Sequence, residues 1–296
     1  MTVHKVYMWP ATLLLAFGLA ACGGPGQQGQ ADVAEDTTAA QTEGSNLLKV
    51  GDKLFSIPSP VQTVLLIHQM KTPYASGLPL APERVGQFAS KESQALALGV
   101  YGADLAYLAV YKDGQKALKT LKAVEELASH LNVANAFDKE LMASFRNSIN
   151  DEDSLLKLTG TAFRSADKYL KEDQRESVSV RVLAGGWIEG LYLTLGEGGS
   201  VLDPRVVARV AEQGHTLDNL IEMLGHDPGA TELVASLKEL ATAYGQVKRE
   251  YQFVEPTQDV GNKVTYINST SKTEIAQEAL QEIISKVRAI RAAITA

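Results

Sequence analysis

From Ala95 to Tyr111 the chain reads ALALGVYGADLAYLAVY, and Asp104 is its only charged residue. A helix that is apolar on every side must be surrounded by other structure, so this run limits the possible folds more than any other segment. It follows Ser90, a good N-cap, and stops at Asp113-Gly114, a helix breaker. Its charge and its bounded length argue against a spanning segment and for the central helix of a soluble bundle. The pattern returns as LAGGWIEGLYL, where Glu189 is the lone acid, within a helix expected from about Glu176 to Leu195.

Helical punctuation continues on both sides. Ser59-Pro60 reads as a cap and first-turn proline before VQTVLLIHQM. In QKALKTLKAVEELASHL, residues Leu118, Leu121, Val124, Leu127, Ala128 and Leu131 share one face. FDKELMASFRNSI follows, and Asn150 or Asp151 caps LLKLTGTAFRSADKYLK. GEGGS ends the second apolar helix, and Asp203-Pro204 opens another that carries Val206, Val207, Val210, Leu217, Leu220, Ile221 and Leu224. Asp227-Pro228 opens TELVASLKELATAY, and Thr273-Glu274 leads into a final helix. Only LLKVGDKLFSI and KVTYINS have strand character, and they are candidates to pair with each other. The expected class is all-α: one bundle of about eight to nine helices with at most a minor two-stranded β element.

A weak internal repeat runs through this pattern. Asp104-Leu105-Ala106-Tyr107 aligns with Glu189-Gly190-Leu191-Tyr192 at an offset of 85 residues, EELASHL with DNLIEML, and KELMAS with TELVAS. Units at about 90–150 and 176–250 are thus either duplicated or alike through helical composition alone. Gly186 and Gly190 are four apart, as are Gly102 and Ala106, which would let another helix approach closely. Gly102 lies about 200° around the helix from Asp104, so that approach and the acid are expected to face different neighbours.

The N-terminus carries an address. Lys5 precedes the apolar stretch MWPATLLLAFGLAA, which ends at Cys22 and has the form of a secretory signal. Leu19-Ala20-Ala21-Cys22 resembles the bacterial lipobox, in which the cysteine thiol is acylated and the signal is cut just before it. The resemblance implies a signal peptide at 1–21, lipidation of Cys22 with diacylglycerol and fatty acyl (palmitate-type) chains, and a domain held at the cell envelope. Cys22 is the only cysteine, so the remaining chain has no disulfide, thiol nucleophile or cysteine zinc site. Residues 22–46, poor in large apolar side chains, read as a flexible tether with a reach of about 25–30 Å. Gly23 stands where the lipobox pattern would place Asp for inner-membrane retention, which favours the outer membrane, facing periplasm or cell surface. The paired segments around Asp104 and Glu189 are also similar to helical domains of bacterial lipoproteins that carry no assigned activity, over Leu47 to about Tyr244.

The domain expected at 47–296 is acidic. The formal charge of −7 becomes −8 once Lys5 leaves with the signal, and it is spread out, which argues against nucleic acid or an anionic membrane as partner. Asp104 and Glu189 are the strongest site candidates, because a desolvated carboxyl must find donors, a cation or a proton. Tyr101 and Tyr107 flank Asp104 at helical spacing and Tyr192 follows Glu189, so a phenol could donate to each acid. Arg164, Lys168 and Arg181 are candidate cationic partners. The acids either fix helix register in a buried network or line a cavity as acid/base groups or cation ligands. Trp187 and Tyr192 beside Glu189 leave room for one small pocket, while a single tryptophan beyond the signal argues against an extended glycan cleft.

Other patterns are weaker. His215, Asp218 and Glu222 share a helix edge, and His68, His130 and His226 lack partners at ligand spacing. GEGG follows a helix and so is a stop, not a phosphate loop, and Asp151 to Asp153 supply N-terminal charge to a helix. Asn268-Ser269-Thr270 matches a glycosylation acceptor that has no meaning in a bacterium. The sequence thus points to a membrane-anchored, non-enzymatic helical domain that binds an envelope protein or small molecule, without cofactor or metal. A small-ligand or cation site around Asp104 and Glu189 is the alternative.

Overall fold

The computed structural model describes residues 47–50, 53–56, 68–69, 72–134, 139–148, 151–172, 175–196, 202–259, 261, 264–266 and 270–296. All lie in one compact unit, Ser45–Ala296. The fold is all-α, with nine α-helices among the described residues: α1 (Lys91–Val110), α2 (Gly114–His130), α3 (Lys139–Asn147), α4 (Glu152–Glu172), α5 (Glu176–Leu195), α6 (Pro204–Glu212), α7 (Gly214–Leu224), α8 (Thr231–Tyr244) and α9 (Gln277–Ile294). None of the described helices is long and apolar enough to cross a membrane.

The caps read from sequence form as local chemistry requires. The Ser90 hydroxyl accepts from Ser93 N while the Ser93 side chain returns to the Ser90 backbone, closing a capping box on α1. Asp113 accepts from Lys116 N, Asp203 from Arg205 N and Asp227 from Gly229 N, so α2, α6 and the short 3-10 turn before α8 each begin on an aspartate. Asp151 accepts from Ser154 N ahead of α4. Gly196 stops α5 at φ 61°, a backbone region that glycine enters without steric cost.

α1 and α5 form the largest helix–helix interface. A Cβ at Gly99 would run into the Val182 carbonyl and Gly186 N, and one at Gly185 into Leu96 backbone. Leu193 lies in one apolar cluster with Ala103, Ala106, Tyr107 and Val110. Contacts advance along both helices together, so α1 and α5 run side by side in the same direction. α2 and α4 pack on α1, α7 and α9 pack on α5, and α8 packs on α9.

Two expectations are corrected. The helix expected from Asp203 through Leu224 is two, broken at Gln213; the Gly214 Cβ direction is filled by the Arg249 guanidinium. The final helix starts at Gln277, because Thr273 and Glu274 belong to a strand. The β structure is two-stranded and antiparallel among the described residues, but it pairs locally. β1 (Leu47–Val50) pairs with β2 (Lys53–Ser56), β3 (Lys248–Gln252) with β6 (Thr270–Glu274), and β4 (Thr257–Asp259) with β5 (Val264–Tyr266). LLKV and KVTY therefore do not pair with each other: each finds a partner a short turn away, at lower loop-closure cost. β3 to β6 make one hairpin arm inserted between α8 and α9. The Ser59-Pro60 helix start, the part of GEGGS after Gly196, the lipobox and the tether lie outside the described residues.

Candidate functional site

Asp104 and Glu189 come together. Both are 0 % exposed, one in the middle of each central helix, and their carboxyls lie within hydrogen-bonding reach of each other. The partner that completes the cluster is Arg291 of α9. Its Nε donates to Glu189 Oε2 at 3.0 Å and its Nη2 to Oε1 at 3.2 Å, a two-pronged pair that aligns guanidinium and carboxylate. Nη2 also donates to the Leu78 carbonyl at 3.3 Å, and the guanidinium carbon lies 4.5 Å from the Tyr192 ring centroid. Asp104 Oδ2 accepts from Leu80 N at 3.0 Å, while Oδ1, equally buried, accepts from no group among the described residues.

Charge and burial set the protonation of this pair. Desolvation pushes the Asp104 carboxyl well above its usual 3.8, and the neighbouring charge of Glu189 pushes it further. Desolvation also raises Glu189, but Arg291 pulls it back. Asp104 is therefore the group that keeps the proton, and Glu189 the one that is ionised against the arginine.

The expected tyrosine–carboxylate bonds form differently. Tyr101, Asp104, Tyr107 and Tyr111 stand on one side of α1 at spacings of three, three and four residues, the helical repeat. Along that stripe lies an irregular strap, residues 72–81. Tyr111 donates to the Thr72 carbonyl at 2.6 Å, Tyr107 Oη accepts from Ala75 N at 3.0 Å, Asp104 from Leu80 N, and Tyr101 donates to the Ala81 carbonyl at 3.0 Å. Within the strap Leu78 N donates to the Ala75 carbonyl at 3.2 Å, and side chains of the stripe serve the backbone groups of Thr72, Ala75, Leu80 and Ala81. Tyr101 thus serves the Ala81 carbonyl and not the acid. Tyr74 joins Tyr107 and Tyr111 in a ring cluster, its centroid 5.2 Å from that of Tyr111, and donates to Asp113 at 2.6 Å.

The other predicted partners go elsewhere. Arg181 pairs with Asp227 at 2.6 Å, both nearly buried, and so joins α5 to the turn before α8. Lys168 is exposed, and the Arg164 side chain is outside the described set. Trp187 donates to Gln213 Oε1 at 3.2 Å, at the break between α6 and α7. Two residues apart on a helix is about 200°, so Trp187 and Glu189 face opposite ways and the pocket of Trp187, Glu189 and Tyr192 does not form. The close helix approach is centred on Gly99 and Gly185, and it faces the same neighbour as the acids. Arg291, the strap and the tyrosine stripe as a backbone clamp were not read from sequence. Among the described residues no three histidines, cysteines or acids converge as metal ligands.

No family model matches the chain, and no curated protein or solved structure matches it either.

Proposed function

We propose that the protein is a lipid-anchored, non-enzymatic helical domain of the cell envelope that acts by binding a protein partner. The observation that carries the non-enzymatic reading is the closure of the acid pair. Asp104 and Glu189 expose no surface, and three of their four oxygens are spent on Leu80 N–H and Arg291. A reacting substrate needs a carboxyl within hydrogen-bond reach of itself, and here protein fills that position. The anchor rests on the lipobox around Cys22, and Gly23 favours the outer over the inner membrane. The remaining valence at Asp104 Oδ1 is the one observation that favours a ligand at the acids, and a proton satisfies it.

The hairpin arm supports the binding reading. Tyr251 in β3 and Phe253 just beyond its end are each 65 % exposed, while core aromatics such as Tyr101 and Tyr107 are buried. β6 is the one strand paired with β3 among the described residues, so an extended segment of a partner protein can add along its other edge. Envelope fractionation and in-cell cross-linking test both halves. Cys22→Ala should move the folded protein from the membrane to the soluble fraction. A photoreactive residue at position 253 should give a discrete adduct, and one at exposed Glu239 should not. Membrane retention of Cys22→Ala refutes the anchor, and equal adduct patterns from both positions refute the arm.

A further inference from the structure

We infer that the Asp104–Glu189–Arg291 cluster binds one proton, carried on Asp104 Oδ1 and shared with the Glu189 carboxylate, and that its loss as pH rises loosens the strap and α9 from the central helix pair. The inference is independent of the lipid anchor. Two carboxyls, each 0 % exposed, meet one guanidinium, so full ionisation would bury an excess negative charge. Arg291 cannot serve both acids, because its fork is spent on Glu189 and its other contact is the Leu78 carbonyl. Asp104 Oδ1 is fully buried and accepts from no group among the described residues. A proton there turns an orphaned acceptor into a donor aimed at Glu189. No bond changes except one O–H, and the proton leaves to solvent.

The groups acting on Asp104 are Glu189 from α5, Arg291 from α9, Leu80 N–H from the strap and, on its own helix, the Tyr101 phenol, which in turn faces Arg84 and Glu83 of the 3-10 turn Pro82–Gln87. Glu189 faces Arg291 and Asp104, and Arg291 faces Tyr192 besides the two acids. Both carboxyls are raised, so the stability they contribute is fully present below the ordinary carboxyl range. It is lost as pH rises through their raised values. The strap yields first, because it is held by single side-chain bonds whereas α1 and α5 touch backbone to backbone. An ionised Asp104 attracts Arg291 and Leu80 N–H more strongly, so what moves the strap and α9 off the central pair is hydration of the excess buried charge.

Infrared difference spectra of the full chain, titrated from about pH 4 to about pH 10, test the proton. A protonated-carboxyl carbonyl band should survive at neutral pH, disappear at higher pH, and be absent from Asp104→Asn. Hydrogen exchange, corrected for intrinsic rate, tests the release. Protection of residues 72–81 and 277–294 should fall with pH by up to about tenfold per unit, the signature of one proton, and Asp104→Asn should abolish this dependence. If Asp104→Asn does not fold, the wild-type spectra still decide. Absence of the band at neutral pH overturns the bound proton. A band whose loss leaves both segments protected overturns the release. Protection that follows sodium or potassium at fixed pH assigns the place to a metal cation and overturns the proposal.

Discussion

Arg291 neutralises the most deeply buried charge in the described core, and its side chain is only 14 % exposed. Truncating one partner of such a pair leaves the other charged in a low dielectric, which costs about 3–5 kcal/mol. Arg291→Leu should therefore lower unfolding free energy by about that amount near neutral pH. Adding Glu189→Gln should recover part of the loss, because the orphaned charge is then gone, and a chemical-denaturation double-mutant cycle measures this coupling. Additive losses, the double variant falling by the sum of the two single variants, would mean that the pair is energetically idle. Residues at this scale were unevenly legible. The lone acids stood out because each interrupts an apolar run, and the tyrosines stood out by their spacing. Arg291 did not, because Arg288 and Arg291 near the end of a helix are also what the helix dipole favours at a solvated C-terminus. Only the fold tells a cation facing inward from one facing water.

α1 and α5 set the precision of everything they carry. Their backbones touch at Gly99 and Gly185, and this contact holds the two acids at one level. Gly99→Ala should cost about 3 kcal/mol or more despite alanine's better helix propensity, because the new methyl must push the Val182 carbonyl away. Gly86→Ala is the control: nothing lies within 4 Å of its Cβ direction, so thermal unfolding should be nearly unchanged. Helix boundaries were legible because they depend on caps a few residues away, such as Ser90, Asp113 and Asp227. The strap was not, because TPYASGLPLA has neither helical nor strand period and its partners lie on α1, α2 with its cap, and α9. The β pairings failed for a related reason. Strand character shows in isolated segments, but β3 is a polar strand with all five residues exposed and carries no alternation of burial that a sequence could display.

For the whole molecule, stability should rise and then fall with pH. Asp227 is held below its usual 3.8, chiefly by its hydrogen bond to Arg181, so this bridge contributes above that value and is lost as pH falls through the depressed one. Asp227→Asn should cost about 2–3 kcal/mol at neutral pH, with the deficit vanishing in acid, where the wild type loses the same bridge; urea midpoints across pH would show this. The acid limb and the alkaline limb thus belong to different parts of the bundle and can be removed one at a time. The cluster at the centre also has a consequence for how the chain is made. Its members are Leu78 and Leu80, then Asp104, then Glu189, then Arg291, so they emerge in that order from a ribosome or a translocation channel. Until α9 arrives, the two central helices can close only by burying acids that have no cation. The central pair is therefore penalised for closing early, and the last helix is what makes closure favourable. A domain built this way stays loose until α9 is in place, so the timing of closure and the final stability come from the same three residues and one strap.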